Sequence, residues 1–397
     1  LVGANLLADA GWSVLVLEAN DAPGGGVRTA EVTLPGFRND LCSAFYPLAM
    51  VSPALRSLHL EDHGLVWMHA PTVLAHPRPD GPGAVMKADR LQTAACLDLD
   101  AAGDGDAYLE VCDWFDRVGP AFMEALLSPL LPVSAGLKLA ARAGPSGVLD
   151  LARLAVLPLR RFVEERFRGE SARLLFAGNA LHADFTPEAA GSALFGWILT
   201  GLAQQVGFPT PQGGAGQLTA ALVARLEAAG GRVRCGTPVG EVVVRGGRAV
   251  GVRTEAGEEI DAGRAVLADC DATRLYTSML PAEVVPPSVR DRLRFFQRAS
   301  GTVKADWAVD GKIPWTAPGG AGAGVVHVAY SLDEMTRSAA QLATSTVPDE
   351  PFLLVGQMTT ADPSRSPAGT ESVWAYTHVP QGEVDDPAGE LEGDWGA

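Results

Sequence analysis

Cysteine is scarce in this chain and poorly placed for bridging. The 397 residues include five, Cys42, Cys96, Cys112, Cys235 and Cys270, far apart and odd in number. None forms a Cys-x-x-Cys pair, which argues against a disulfide framework or a dithiol redox motif and points to reduced, intracellular, mostly buried thiols. Positive charge is also short. Against 47 acidic residues stand 31 basic ones, a formal net charge of −16, whereas neutralising a phosphate backbone takes a basic footprint. No nucleic-acid partner is expected. The chain has neither the Gly-x-Ser-x-Gly elbow of a hydrolase nor a Walker loop, and its carboxylates and histidines form no compact acid–base set. His59-Leu60-Glu61-Asp62-His63 spaces two histidines four apart but departs from His-Glu-x-x-His, so no metal site is expected.

Long apolar runs are missing as well. No charged residue lies between Glu188 and Arg225, but the helical part, Ala189 to Val206, carries Gly191, Gly196, Gly201 and two glutamines, and Pro209 and Pro211 follow. A spanning helix wants about 20 predominantly apolar residues. A buried helix lining a substrate cavity is expected instead. In Ala121 to Phe167 the leucines and valines are interrupted by Pro129, Pro132, Gly136, Gly144, Gly147 and Pro158, and Lys138, Arg142, Arg153, Arg160 and Arg161 supply positive charge. An ordinary helical cap and a basic amphipathic surface lying on a membrane both fit this pattern, and the two can hold together. No repeat of solenoid period is present.

What the chain does carry is concentrated at its start. Leu1 to Ala10 forms a helix of small residues: Gly3, Ala4, Ala8 and Ala10 keep it thin, Leu6 and Leu7 give it an apolar face, and Gly11 supplies a left-handed stop. At Gly11-Trp12 it turns into the apolar strand Ser13 to Leu17, which ends at Glu18. This is the second half of a dinucleotide-binding βαβ unit. In such a unit a Gly-rich turn before the helix receives the pyrophosphate, and an acid about 20 positions after the first glycine bonds the ribose hydroxyls. Glu18 stands where that acid belongs, although a solvated strand end would look the same. The glycine turn is missing, and the chain begins where its third glycine would just have passed. A fragment is expected, with Gly-x-Gly-x-x-Gly directly upstream of Leu1.

Six and seven residues after Glu18 come Gly24 and Gly25. The stretch Glu18-Ala19-Asn20-Asp21-Ala22-Pro23-Gly24-Gly25-Gly26-Val27-Arg28-Thr29 resembles the Glu-x5-Gly-Gly-x3-Thr signature of flavin-dependent amine oxidases and phytoene desaturases. The resemblance implies that the glycine pair lets backbone pass close to the FAD pyrophosphate and that Arg28 or Thr29 adds donors. Glycine permits close approach and positive φ, and successive N–H groups make an anion-binding concavity, although a linker would use the same residues. Farther on, Pro211-Gln212-Gly213-Gly214-Ala215-Gly216-Gln217-Leu218 opens a helix with Leu218, Leu222 and Leu226 on one face. It is similar to the Pro-x-Gly-Gly-x-Gly-x-Leu segment of phytoene-dehydrogenase-related proteins. Arg232 to Cys235, Val239 to Val244 and Ala249 to Thr254 alternate as hairpin strands around an Arg245-Gly246-Gly247-Arg248 turn. By resemblance, the backbone at Val239 meets the FAD adenine and Arg264 to Asp271 is the strand that returns to the cofactor. Pro35-Gly36-Phe37, Asp40 and Ser43 fit the phytoene-desaturase-like branch that contains the pyridine nucleotide-disulfide oxidoreductase domain-containing proteins, whose equivalent loop passes near the flavin ring. The Gly-rich stretch and flavin-facing helix that close that family's sequences have no counterpart in Glu390 to Ala397.

The implied fold is α/β. A discontinuous Rossmann-type FAD-binding domain would take residues 1–75 and 205–275, and an α+β substrate domain of mixed sheet and helical cap would take 76–204 and 276–397. The length and a 47% hydrophobic content suffice for two cores. Thr302 to Val309, Val325 to Tyr330, Phe352 to Thr359 and Ser372 to Val379 are the predicted strands of the mixed sheet. The run Gly319 to Gly324 is expected as a flexible hairpin loop, because a strand and not a helix follows it. Asp184, near His182, serves either as a polar group at a cavity mouth or in a helix-capping turn. The cofactor-binding candidates are Glu18, Ala19, Gly24, Gly25, Arg28, Thr29, Ser43 and Val239. No catalytic residue is named, because where FAD carries hydride chemistry the protein supplies binding, orientation and exclusion of water. The implied activity is FAD-dependent dehydrogenation of an apolar, isoprenoid or lipid-like substrate, with electrons passing on to oxygen, a quinone or another acceptor. Flavin amine oxidation and a non-catalytic prenyl carrier of the Rab GDP-dissociation inhibitor kind are the alternatives on the same fold, and Glu18 with Gly24-Gly25 argues against the carrier. An intracellular location is expected, cytoplasmic or peripheral at a membrane. With the glycine turn missing, residues 1–397 alone are expected to hold FAD weakly or not at all.

Overall fold

The computed structural model describes residues 1–128 and 133–381. Pro129, Pro132 and the closing Glu390 to Ala397, used in the sequence reading, lie outside the described residues. The chain forms two compact units: Leu1–Gly25 with Thr219–Arg298, and Gly26–Leu218 with Ala299–Ala397. These divisions fall after Gly25, Leu218 and Arg298, whereas the sequence reading placed them near residues 75, 205 and 275. The reason for the first difference is visible in the larger unit, where Thr72–His76 is an interior strand of the main sheet.

In the smaller unit the helix Val2–Asp9 stops at Gly11, whose φ of +76° lets the Gly11 and Trp12 amides fold back onto the carbonyls of Ala8 and Leu7. The strand Leu15–Leu17 then pairs in parallel with Arg232–Arg234. Buried Asn5 donates from Nδ2 to the Leu222 carbonyl at 2.9 Å, which fixes the first helix against the helix Gly216–Ala228. The strands Val239–Arg245 and Arg248–Thr254 form the expected hairpin. Gly246 and Gly247, at φ +59° and +74°, supply the two left-handed residues of its tight turn, and a third strand, Glu259–Asp261, adds to its edge.

One strand expectation fails here. Arg264 to Asp271 joins no ladder: the parallel sheet has two members, Leu15–Leu17 and Arg232–Arg234, and neither pairs with this segment. All of its residues but Val266 are exposed. The Arg264 guanidinium lies 4.9 Å over the Trp12 ring, and Leu267 lies against Gly3, yet Leu267 remains 62% exposed. An apolar run becomes a strand only where an edge satisfies its amides and carbonyls.

The larger unit is built on a six-stranded mixed sheet. Its order is Gly301–Asp310, Thr370–Val379, Leu353–Gln357, Ala323–Val328, Thr72–His76 and Ala84–Met86, antiparallel except for the pairing of Ala323–Val328 with Thr72–His76. The four predicted strands are all in it. Gly319 to Gly324 is not a hairpin loop, because the strands on either side of it are not neighbours. Gln357 Nε2 also donates to the carbonyls of Gly320 and Ala323, both at 2.6 Å, so the connection is pinned.

Five helices supply the expected helical layer: Asp104–Leu126, Val133–Leu154, Leu159–Arg166, Glu170–Leu181 and Ser192–Val206. Gly144, at φ +70° and followed by Pro145, kinks the second of them. Ser192–Val206 is buried, with Trp197 fully enclosed by Trp114, Phe115 and Phe122. Gly201 makes this packing fit, since a Cβ there would lie 2.3 Å from the Phe115 ring.

Candidate functional site

Glu18 follows directly on the strand Leu15–Leu17, at the carboxyl end of the parallel pair. Its amide donates to the Arg234 carbonyl (3.0 Å) and its carbonyl accepts from the Thr237 amide (2.8 Å). The turn between Arg232–Arg234 and the hairpin is thereby held against Glu18, and it brings Val239, two residues past Thr237, to the same end. Open α/β sheets bind ligands outside the carboxyl ends of their strands. The Glu18 carboxylate is oriented by its neighbour: Oε1 accepts from the Asn20 amide at 2.8 Å and from Asn20 Nδ2 at 2.7 Å. Among the described residues no donor reaches Oε2, so acceptor capacity remains for a hydroxylated ligand. Ala19 is exposed beside it. Gly24 and Gly25 have φ of +125° and +56°, and a Cβ at Gly25 would meet nothing within 4 Å. The fit with a bound dinucleotide is therefore good on this side: an oriented carboxylate with spare acceptor capacity, and two glycines at positive φ.

In the larger unit the segments 26–30 and 39–43 run antiparallel. Leu41 donates to the Arg28 carbonyl (2.9 Å), Ser43 to the Gly26 carbonyl (3.1 Å), and Thr29 pairs with Asp40. Arg28, Thr29 and Ser43 are thus brought together. The Tyr46 hydroxyl donates to the Ser43 carbonyl, and burial pushes that phenol well above its ordinary pKa. Against this pair lies the loop Gly213–Gly216, and its amides are already taken. Gly213 donates to Asp362 (2.6 Å), Ala215 to Asp40 (2.8 Å) and Gly216 to Thr29 Oγ1 (2.9 Å). Thr29 in turn spends its own hydroxyl proton on Asp40, at 2.7 Å. The Thr29 hydroxyl therefore fixes position and is not itself a free donor. Gly214 is required by the fit: at φ +114°, a Cβ would sit 2.4 Å from Thr29 Oγ1.

Two members of this network were missed in the sequence. Arg365 and Asp40 form a fully buried ion pair (2.6 Å), and Asp362, also buried, holds Gly213. The stretch Asp362-Pro363-Ser364-Arg365-Ser366-Pro367 reads as a solvated turn, and no local signal announces that its charges are buried.

A third group lies on one face of the sheet. Phe45 packs 6.1 Å from Trp374 and 6.3 Å from Phe208, and Trp374 stacks on Tyr376. His182 stacks on Phe208 and meets His327 edge-on, and His327 meets His76 in the same way. Burial pushes His76 and His182 down to about 4, and His327 well below its ordinary range, so all three imidazoles are neutral near pH 7. At the rim, His378 Nε2 meets Asp184 Oδ1 at 2.9 Å, and this hydrogen bond raises the His378 pKa. Asp184, at φ +61°, closes the end of helix Glu170–Leu181 and does not cap Ser192–Val206, whose N-cap is Gly191. A separate cleft of about 180 Å³ beside Ser192–Val206 is lined by Arg90, Asp116, Gln204 and Gln205. Ala88, Cys112, Phe115 and Gly201 complete that lining.

The profile of the flavin containing amine oxidoreductases matches residues 1–305. The hydroxyneurosporene desaturase of Cereibacter sphaeroides is 29% identical over 298 residues, which is 72% of this chain and 57% of that enzyme. The chain thus spans little more than half the length of this curated relative. Among solved structures, the Rab GDI of Plasmodium falciparum superposes with a TM-score of 0.57 at 13% identity, covering 98% of this chain and 82% of that one. Cyclohexylamine oxidase from Brevibacterium oxydans gives 0.51 at 17% identity, with 95% and 72% covered. At such identities the two likenesses concern the fold alone.

Proposed function

Because the chain belongs to the flavin containing amine oxidoreductase family, we propose that it serves an FAD-dependent desaturation of an apolar, isoprenoid-like substrate. The observation that carries the cofactor half is Glu18, an oriented carboxylate at the carboxyl end of a parallel strand pair. In this reading Glu18 accepts from the ribose hydroxyls, with the Ala19 backbone beside it. Gly24 and Gly25 let the main chain approach the pyrophosphate, and Val239 offers backbone to the adenine. In the larger unit Arg28 supplies charge, while Thr29 and Ser43 shape the backbone that faces the flavin. When bound, FAD supplies the hydride-accepting chemistry and passes electrons to oxygen, a quinone or another acceptor.

The substrate half rests on similarity to an enzyme named for hydroxyneurosporene and on the aromatic face of Phe45, Trp374 and Tyr376. Its three buried histidines are neutral near pH 7, and the Lys304 ammonium over the Trp374 ring is balanced by Asp306. Anaerobic mixing of the flavin-loaded protein, expressed from its complete reading frame, with a long acyclic polyene tests this. Bleaching of the flavin with formation of a more unsaturated product is expected; bleaching by a primary amine and not by the polyene would overturn the substrate.

We further propose peripheral contact with a membrane through helix Val133–Leu154. Val133, Leu137 and Leu149 are 70%, 67% and 71% exposed, and Lys138 and Arg142 stand exposed among them. Such a face can lie in the headgroup region, where an apolar substrate would be met. Among the described residues, no helix is long and apolar enough to cross a membrane.

A further inference from the structure

The loop Gly213–Gly216 owes its shape to two carboxylates, and one short segment governs both. Asp362 accepts from the Gly213 amide, and three residues later, through the turn Pro363–Arg365, Arg365 meets Asp40. Asp40 accepts from Ala215 and from Thr29, and Thr29 accepts from Gly216. The segment 362–365 therefore closes on both ends of the loop. Main-chain straps hold it there. Arg38 donates its amide to the Arg365 carbonyl at 2.8 Å, and Arg365 Nε returns a bond to the Arg38 carbonyl at 3.2 Å. Ser372 Oγ donates to the same carbonyl, and Asn39 Nδ2 donates to Ser372 Oγ.

A fully buried ion pair is weak evidence for stability, because desolvating two charges offsets much of their attraction. This pair has a different logic. The loop amides and the Thr29 hydroxyl need acceptors, and a carboxylate at position 40 satisfies two donors at once. Once that carboxylate is buried, its charge needs a cation. The demand passes from the loop to Asp40 and from Asp40 to Arg365. Among the described residues neither Arg365 Nη1 nor Nη2 makes a hydrogen bond of good geometry, and neither does Asp40 Oδ2, so the two are joined by charge and proximity and not by a directed hydrogen bond. Residues 362–372 lie beyond the part of the chain that the family profile matches, so family membership assigns Arg365 no role.

We propose that Arg365 is a positioning residue for the flavin site: acting through Asp40, it sets Thr29 and the loop Gly213–Gly216 without touching the cofactor. The flavin half of this proposal rests on the reading above; the clamp itself does not. Lysine could balance Asp40 but could not reproduce the Nε–H bond to Arg38, so Arg365→Lys should fall between wild type and Arg365→Met.

The test uses the protein expressed from its complete reading frame, with Arg365→Met, Arg365→Lys and the double variant Arg365→Met/Asp40→Asn. Two quantities are read: amide hydrogen exchange over 213–216, against strand Leu353–Gln357 in the same unit, and the FAD dissociation constant. Arg365→Met should raise exchange over 213–216 by about tenfold or more without changing Leu353–Gln357, and should weaken FAD by about tenfold or more. The double variant should recover both readouts to about the level of Arg365→Lys, since a carboxamide oxygen still accepts from Thr29 and Ala215 and leaves no charge to balance, while the Nε–H bond to Arg38 stays lost. Unchanged exchange and affinity in Arg365→Met overturn the proposal. Failure of the double variant to recover overturns action through Asp40. If Arg365→Met does not fold, Arg365→Lys carries the comparison, and exchange over 213–216 equal to wild type overturns the clamp. If the wild type binds no FAD, the flavin reading fails, and the exchange arm still judges the clamp.

Discussion

Replacing Gly214 by alanine measures how tightly the loop is fitted to Thr29. The new Cβ would lie 2.4 Å from Thr29 Oγ1 and 2.6 Å from Thr29 Cγ2, at a φ of +114°. Gly64, in the same unit, provides the comparison: its φ is +91°, but nothing lies within 4 Å of a Cβ placed there. A non-glycine residue at positive φ costs about 1–2 kcal/mol at either position. Forcing an atom into the packed site adds about 1–3 kcal/mol at Gly214 alone. Gly214→Ala should therefore destabilise the larger unit by about 2–5 kcal/mol and Gly64→Ala by about 1–2 kcal/mol. Thr29→Ala removes the two closest atoms, Oγ1 and Cγ2, and leaves the Cβ at 2.9 Å, so Gly214→Ala/Thr29→Ala should cost less than the sum of its parts by about 1 kcal/mol or more. Urea unfolding followed by tryptophan fluorescence reads these values from midpoints at constant slope. Equal losses at the two glycines, or strict additivity in the double variant, would refute the packing argument.

Three other outcomes follow from the geometry. Glu18→Gln removes charge-assisted bonds to the ribose and should weaken FAD by about 1.5–3 kcal/mol, roughly 10- to 150-fold; an unchanged dissociation constant would remove Glu18 from the site. His378 has a pKa raised by its hydrogen bond to Asp184, so the folded state holds that proton more tightly than the unfolded chain. The stability it contributes is complete below the unfolded value of about 6.5 and is lost as pH rises through the folded pKa. The stability gap between wild type and His378→Gln should accordingly shrink from pH 5.5 to 8.5, and a gap that widens would contradict the pairing. Leu137→Glu/Leu149→Glu should reduce flotation with anionic vesicles by about fivefold or more, an effect that unchanged flotation would disprove.

What could be read from the sequence was local. Glu18, the Gly246-Gly247 turn and the four later strands are announced by spacing and alternation within about ten residues. Thr72–His76 and Ala84–Met86 were not recognised because every residue in them is buried, which erases the alternation that marks a half-exposed strand. Arg264 to Asp271 has a strand's composition, but pairing is a property of the neighbours and the segment has none to join. Arg365 was hidden for the strongest reason. Its bond to Arg38 spans 327 positions, and a charged residue in a Pro- and Ser-rich stretch gives no sign that folding will bury it. The candidate site was thus legible where a motif makes it and illegible where tertiary contacts support it.

The central claim, that this chain binds FAD with Glu18 at the ribose, is tested most directly by flavin content. Protein expressed from its complete reading frame, with protected 213–216 amides as proof of folding, should release stoichiometric FAD on denaturation and should take it up again on refolding. A folded preparation that is colourless and leaves added FAD fluorescence unquenched would contradict the account.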